Sequence, residues 1–255
     1  MAVGVAVCVA TLESGASVAQ SAADAVLAEA KAGIRDFSGR DLSGADFAGA
    51  DLNSLLFRKA KLDGAVFTGA NLRGAEFQGA SLKGAILDRA NLDLAIFRDA
   101  DLSGASLRAV SAHSTVFASA DLRGAQMEEA VLICNLDRAN LSGANLRGAR
   151  MGADMKNQPM GLMRVSLKKT NLRGADLSGA DLSRAFMEFA DLTDANLQGA
   201  VLEKAESAGA IYTGADLTGA TMTDIDLQSA KLAGAKGRET VKGFETAKNA
   251  DGAGW

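Results

Sequence analysis

Residues 60–84, AKLDGAVFTGANLRGAEFQGASLKG, repeat one five-residue phrase five times. In each unit an alanine (Ala60, Ala65, Ala70, Ala75, Ala80) stands two residues before a large apolar centre, and a glycine (Gly64, Gly69, Gly74, Gly79, Gly84) stands two after it. The residue before the centre is often Asp or Asn, as in Ala45-Asp46-Phe47-Ala48-Gly49 and Ala175-Asp176-Leu177-Ser178-Gly179. A period of five is neither the helical 3.6 nor the strand 2.0. It requires a backbone that turns a corner every five residues. Glycine suits such a corner, because a positive φ costs it nothing.

The period extends outward in both directions. Centres run from Phe37 to Leu132 in steps of five, twenty units in which Ala112 is the one weak member. One residue is then missing, and four more units run from Leu136 to Met151. A second slip leaves a single centre at Met155, and fourteen units follow from Leu167 to Leu232. Self-similarity over thirty-nine units marks a solenoid. Each coil of a solenoid touches only its neighbours, so the 255 residues are read as one elongated domain.

These units resemble the pentapeptide repeat family over roughly Arg35 to Lys236. The resemblance implies an all-β solenoid, a right-handed quadrilateral β-helix with four units per coil, here about ten coils. One observation supports four walls independently. In the first run Phe occupies 37, 47, 57, 67, 77, 97 and 117, all on a ten-residue grid, and after Leu136 no centre is Phe. With twenty residues per coil, that grid is two opposite walls carrying columns of aromatic rings.

The ends are read separately, because a solenoid exposes unpaired strand edges. Residues 1–19 form a leader. Its apolar stretch Ala2 to Leu12 and Ser17-Val18-Ala19 suggest either the remnant of an export signal or an extra edge strand. The cytoplasm is the first reading of the compartment, and the periplasm or thylakoid lumen the second. Residues 20–34 are expected to hold a capping helix, Ser21 to Ala32, with Ser21 as N-cap and Gly33 as the stop. Residues 35–236 are the repeat, and 237–255 are a C-terminal cap or tail. A short helix over Glu239 to Asn249 would place Val241 and Phe244 on the last coil.

No motif carries catalysis, a cofactor or a metal. The single histidine, His113, joins Ser111 and Asp93 only on paper, on walls crowded with Ser and Asp. Cys134 takes a small inward position as a buried apolar residue, and Cys8 lies in the leader. The net charge of −4 is mild, there is no basic run for nucleic acid, and no apolar stretch of eighteen residues spans a membrane. A rod filled with Leu and Phe offers no catalytic concavity. The chain is therefore read as a non-catalytic protein-binding or assembly element, a peripheral member of a larger complex or an end-to-end dimer. The alternative, implied by gyrase-protecting members of the family, is a DNA mimic on a type II topoisomerase. That role needs an acidic stripe, and the walls of the first run mix acids with Lys61, Lys83, Arg58 and Arg98.

The candidate binding residues lie where the repeat breaks. Residues 156–164 (KNQPMGLMR) fall outside the register and are expected to bulge, carrying Met160, Leu162 and Met163. Phe186 and Phe189 flank the centre Met187 in outward positions. The five residues either present an apolar patch, or the loop folds back over the two phenylalanines. Leu56, Ile96 and Val116 share one wall and form a discontinuous apolar stripe.

Overall fold

The computed structural model describes residues 15–153 and 163–255. The chain winds as a right-handed quadrilateral β-helix. Four columns of parallel bridges run up it. The first wall stacks Asp36, Leu56, Glu76, Ile96, Val116, Asn135, Ser166, Phe186, Glu206, Asp226 and Lys248, eleven rungs in all. The second, third and fourth walls begin at Asp41, Asp46 and Asp51. At about 4.8 Å per rung, the first wall is about 48 Å long.

The backbone explains the five-residue phrase. In a representative unit, Leu62 N donates to Ser81 O (2.7 Å) and Gly64 N to Lys83 O (2.8 Å) on the next coil, while Lys61 N donates to Arg40 O (2.9 Å) on the coil before. A fourth donor, Ala65 N, closes the corner on Leu62 O (3.0 Å). The corner residue lies in the left-handed region whether or not it is glycine, as at Gly64 (φ 67°) and Leu94 (φ 62°).

Only the N–H after each centre then lacks a backbone acceptor, and the Asp or Asn before the centre supplies one. Asp101 Oδ1 accepts from Ser103 N (3.0 Å), and Asp176 Oδ1 from Ser178 N (3.0 Å). A main-chain N–H with no backbone acceptor is commonly satisfied by a nearby Asp or Asn side chain, so this bond accounts for the recurring acid or amide.

Inside, every alanine and every large centre from Leu52 to Leu102 is buried. Phe37, Phe57, Phe77, Phe97 and Phe117 form one column of stacked rings, with centroids 4.7–5.7 Å apart. Phe47 and Phe67 stack on the opposite wall at 5.3 Å. At the weak centre Ala112, Val110 stands in the inward position that alanine holds elsewhere, which restores volume. Higher in the rod Ser207 replaces a large centre, and its hydroxyl meets the buried Tyr212 hydroxyl at 2.9 Å. Burial pushes the Tyr212 phenol up to about 12, with the Ser207 bond acting in the opposite direction.

Helix α1 spans Gly15–Lys31, so Ser21 lies inside it and does not cap it. Ser17-Val18-Ala19 belongs to this helix, whereas residues 1–14 of the expected leader lie outside the described residues. Ala23 and Val26 are buried against the first coil, and Glu29 pairs with Arg40 at 2.6 Å. Gly33 (φ 96°) follows the helix, and Ile34 N donates back to Glu29 O (3.0 Å).

The C-terminal end departs from expectation. No α-helix forms over Glu239 to Asn249. Instead the phrase lengthens to six residues, KGRETV, KGFETA and KNADGA, and three 3-10 turns (Arg238–Thr240, Phe244–Thr246, Ala250–Gly252) fold across the last coil. Gly237, Gly243 and Asn249 stand where large centres would be, with φ of 85, 73 and 55°. At Gly243 a Cβ would collide with Thr223, so only glycine fits. Thr240 Oγ1 accepts from Gly219 N and Thr246 Oγ1 from Asp224 N, both at 2.9 Å. These bonds satisfy edge donors that another chain could otherwise pair with. Val241, Phe244, Ala247 and Trp255 pack on the core from above.

Candidate functional site

The two irregularities of the repeat fall on one corner, where the fourth wall meets the first. Val116 bridges Asn135, a coil of nineteen residues, and the next rung reaches Ser166 only after thirty-one. In the short coil Ile133 and Cys134 cut across the corner and are buried. Burial pushes the Cys134 thiol up, so it carries no thiolate reactivity. In the next coil the extra residues leave at the same corner. Ladder bonds hold on both sides, from Asn135 N to Thr115 O (3.0 Å) and from Ser166 N to Cys134 O (2.9 Å).

A cavity of about 260 Å³ opens there, with Val116, Ile133, Cys134, Met163, Arg164 and Phe186 in its lining. Phe186 is not free. The Arg164 guanidinium lies 3.5 Å from its ring centroid and the Lys168 ammonium 4.3 Å. Arg164 is held in turn by Glu206 (2.8 Å) and Arg184 O (3.1 Å), and Lys168 by Glu188 (2.8 Å). Phe189 occupies the next corner, between the first and second walls, and is 62% exposed. Its ring lies over Gly209, where an added Cβ would stand 2.6 Å from the ring carbons.

Of the five expected binding residues, Met163 and Phe186 come together at the cavity and Phe189 lies across the wall from them. Met160 and Leu162 lie outside the described residues, as does the lone centre Met155. The first wall also carries the stripe Leu56, Ile96 and Val116, each half-buried.

The structure does bring Ser111, His113 and Asp93 together, but in the wrong order for nucleophilic catalysis. Ser111 Oγ and Asp93 Oδ1 both lie 3.1 Å from the same ring nitrogen, His113 Nδ1, and Ser111 Oγ donates to Asp93 at 2.8 Å. A triad needs the hydroxyl and the carboxylate on opposite ring nitrogens. The same aspartate also accepts from His113 N (2.9 Å). Burial raises the Asp93 carboxyl, but the bonds from His113 and Ser111 outweigh it and hold the group below its usual range. The arrangement recurs without histidine at Asp63–Ser81–Lys83, Asp88–Ser106–Arg108 and Asp137–Ser166–Lys168. It is a structural device: where serine precedes the centre, an aspartate one rung below accepts the orphan N–H.

Sequence reasoning missed a second depression, at the corner between the first and second walls. It holds about 410 Å³ and is lined by Arg98, Ala118, Ser119, Asp137, Arg138, Lys168 and Lys169, with Asn135 at its edge. Counting through the slip and the insertion would have stacked these residues. Among the described residues, no group of three or more His, Cys, Asp or Glu is placed to hold a metal, and no helix is long and apolar enough to cross a membrane.

A capped square solenoid, irregular at one corner, defines the class of protein. The pentapeptide repeat profile matches in eight copies, over 36–69, 56–89, 75–111, 95–133, 134–155 and 162–199. The chain belongs to the pentapeptide repeat family. Among solved structures it is similar to HetL of the cyanobacterium Nostoc sp. strain PCC 7120, a pentapeptide repeat protein involved in heterocyst differentiation regulation. That match has 28% identity, covers 88% of this chain and 92% of HetL, and has a TM-score of 0.44. It is also similar to a trypsin-treated form of QnrB1, a plasmid-mediated fluoroquinolone resistance protein, at 21% identity over 81% of this chain and 93% of that one, with a TM-score of 0.52. Comparison with curated protein sequences gives no significant match.

Proposed function

We propose that this protein is a non-catalytic binding element, a rod that presents the wall beside its irregular corner to a protein partner. The observation that carries the reading is Phe189, a large aromatic ring left 62% exposed at a corner where most units place glycine or a polar residue. It needs a left-handed backbone (φ 61°) and a glycine beneath its ring, which no packing role requires of an exposed side chain. Exposed aromatic anchors of this kind are enriched at protein interfaces.

The DNA-mimic alternative lacks support from the walls. The second wall reads Asp41, Lys61, Ser81, Asp101, Asp121, Asn140, Asn171, Asp191, Ile211 and Lys231 up the rod, and no acidic column is sustained. Absence of gyrase inhibition or protection at micromolar protein in a supercoiling assay is the expected result.

The main reading is tested by affinity purification from the native source with wild type and Phe189→Asp. Loss of a co-purifying protein is expected for the variant, with its circular dichroism unchanged. An identical set of co-purifying proteins would remove Phe189 from the interface.

A further inference from the structure

The depression between the first and second walls is distinctive in its charge. Four cations and one acid line it, and the acid, Asp137, is already committed to Ser166 Oγ (2.5 Å) and Lys168 N (3.0 Å). A depression of similar size, about 380 Å³, lies on another corner, but there Arg89, Arg108 and Arg147 face Asp88, Glu128 and Glu129. Arg108 pairs with two of those acids, Asp88 at 4.0 Å and Glu128 at 3.3 Å.

The rule for pairing on this rod explains why Arg98 is left over. A cation just after a centre can pair with an acid at the bridge position one rung higher, as Arg58 does with Glu76, Lys83 with Asp101 and Arg173 with Asp191. The corresponding position above Arg98 is Val116. Among the described residues, Arg98, Arg138 and Lys169 make no ion pair, whereas Lys168 is held by Glu188. The nearest carboxylates form no ion pair with the three: Asp99 lies beside Arg98 without a bond to it, Asp137 accepts from a hydroxyl and a backbone N–H, and Glu188 is occupied by Lys168.

The three unpaired cations are spread along the rod. Arg98, Arg138 and Lys169 belong to the rungs of Ile96, Asn135 and Ser166, and the intervening rung carries the small Ala118 and Ser119, which form the floor. From the first to the last is three rungs, about 14 Å of backbone at about 4.8 Å each. A compact oxyanion cannot reach all three, whereas about five residues of extended chain, at about 3.3 Å each, match the span. The next residue in the corner column above Lys169 is Phe189.

We propose that this corner binds an extended acidic segment of a protein partner. Its carboxylates lie against Arg98, Arg138 and Lys169, and an apolar side chain at one end packs on Phe189. The inference rests on the binding reading given above and adds the chemistry of the partner to it. Charge complementarity of this kind sets register and speeds encounter.

The test uses the full-length protein and fluorescein-labelled synthetic octapeptides in fluorescence anisotropy. The probe is an alternating Asp/Glu peptide ending in Phe, with a Ser/Gln peptide ending in Phe and an acidic peptide without Phe as controls. Saturable binding of the first probe is expected, weakened at least tenfold by the triple variant R98E/R138E/K169E and several-fold by Phe189→Ala. All four side chains are at the surface, and circular dichroism confirms that the variants fold. No saturable binding by wild type, or equal binding by the triple variant, would overturn the proposal. Displacement by inorganic phosphate beyond that caused by sodium chloride of the same ionic strength would assign the depression to a free anion and overturn it as well. If the acidic probe fails while Phe189→Asp still abolishes partner co-purification, the charge assignment falls and the binding role of Phe189 stands.

Discussion

The stacked phenylalanines give a stability prediction whose size follows from their neighbours. Phe97 lies between two rings, with centroids 4.7 Å from Phe77 and 5.0 Å from Phe117. Phe117 ends the column and has one such partner, because the next centre on that wall is Leu136. Each stacked pair contributes about 0.5–1.5 kcal/mol beyond its buried area. Phe97→Leu should therefore cost about 1–3 kcal/mol in lost stacking, and Phe117→Leu about half of that. Both substitutions change shape and volume alike, adding under about 1.5 kcal/mol that is common to the two. Equilibrium urea unfolding followed by far-UV circular dichroism measures the difference, provided the denaturant slope stays constant. Equal losses at the two positions would refute stacking as the source of the column's stability and leave only the burial of apolar volume.

Further outcomes follow from the corners and the core. Gly69→Ala, at φ 65° with open space around it, should cost about 1–2 kcal/mol for the left-handed backbone alone. Gly243→Ala, against Thr223, should cost roughly twice that through the added clash, with a red shift of Trp255 emission as the cap loosens. Tyr212 ionises near 10 when unfolded and about 12 when folded, so its contribution is complete below pH 10 and lost as pH rises toward 12. Tyr212→Phe should remove about 3 kcal/mol of pH dependence from unfolding measured across that window. A glycine inserted between Ile133 and Cys134 restores a twenty-residue coil and should shift stability by under about 1 kcal/mol. The same insertion between Asn71 and Leu72, whose N–H groups donate to Ala50 O and Asn91 O on opposite coils, should cost several times more in the same urea assay.

The regular part of the fold is legible in the sequence because each position of the phrase has a single physical duty. The centre fills the tube, the alanine leaves room beside it, the acid or amide caps an orphan N–H, and the corner position takes a left-handed backbone. The N-terminal helix is legible as a run of helix formers, but the reading starts it at Ser21 whereas it already includes Gly15, because the apparent cap at Ser21 is an interior serine. The C-terminal cap reads as a helix because its true signal is a change of period from five to six. That change shows only when Lys236, Lys242 and Lys248 are aligned at the same position of successive phrases. The candidate binding residues are partly legible. Phe186 and Phe189 stand out against the phrase, but the sequence does not show that Arg164 and Lys168 cover the first ring and leave the second open.

The basic corner is hidden for a different reason. Arg98 and Arg138 are forty residues apart, which an unbroken repeat would place in one column two rungs apart. The nineteen-residue coil instead shifts Arg138 one position round, into the corner column of Ser119. Lys169 follows thirty-one residues later, an interval with no meaning in a twenty-residue coil, yet the thirty-one-residue step seats it directly above Arg138. Walls cannot absorb such changes, because their N–H groups are tied to coils on both sides. A corner can, and both changes fall on one. The regular walls of a solenoid resemble each other and discriminate poorly between partners. A register change alters which side chains share a column while leaving the ladder whole, so it creates a distinct surface at little cost in stability. On this rod the register change brings Arg138 and Lys169 into the column of the exposed Phe189 ring, beside Arg98. Specific recognition is therefore expected on the first wall and its two corners between Ile96 and Gly209.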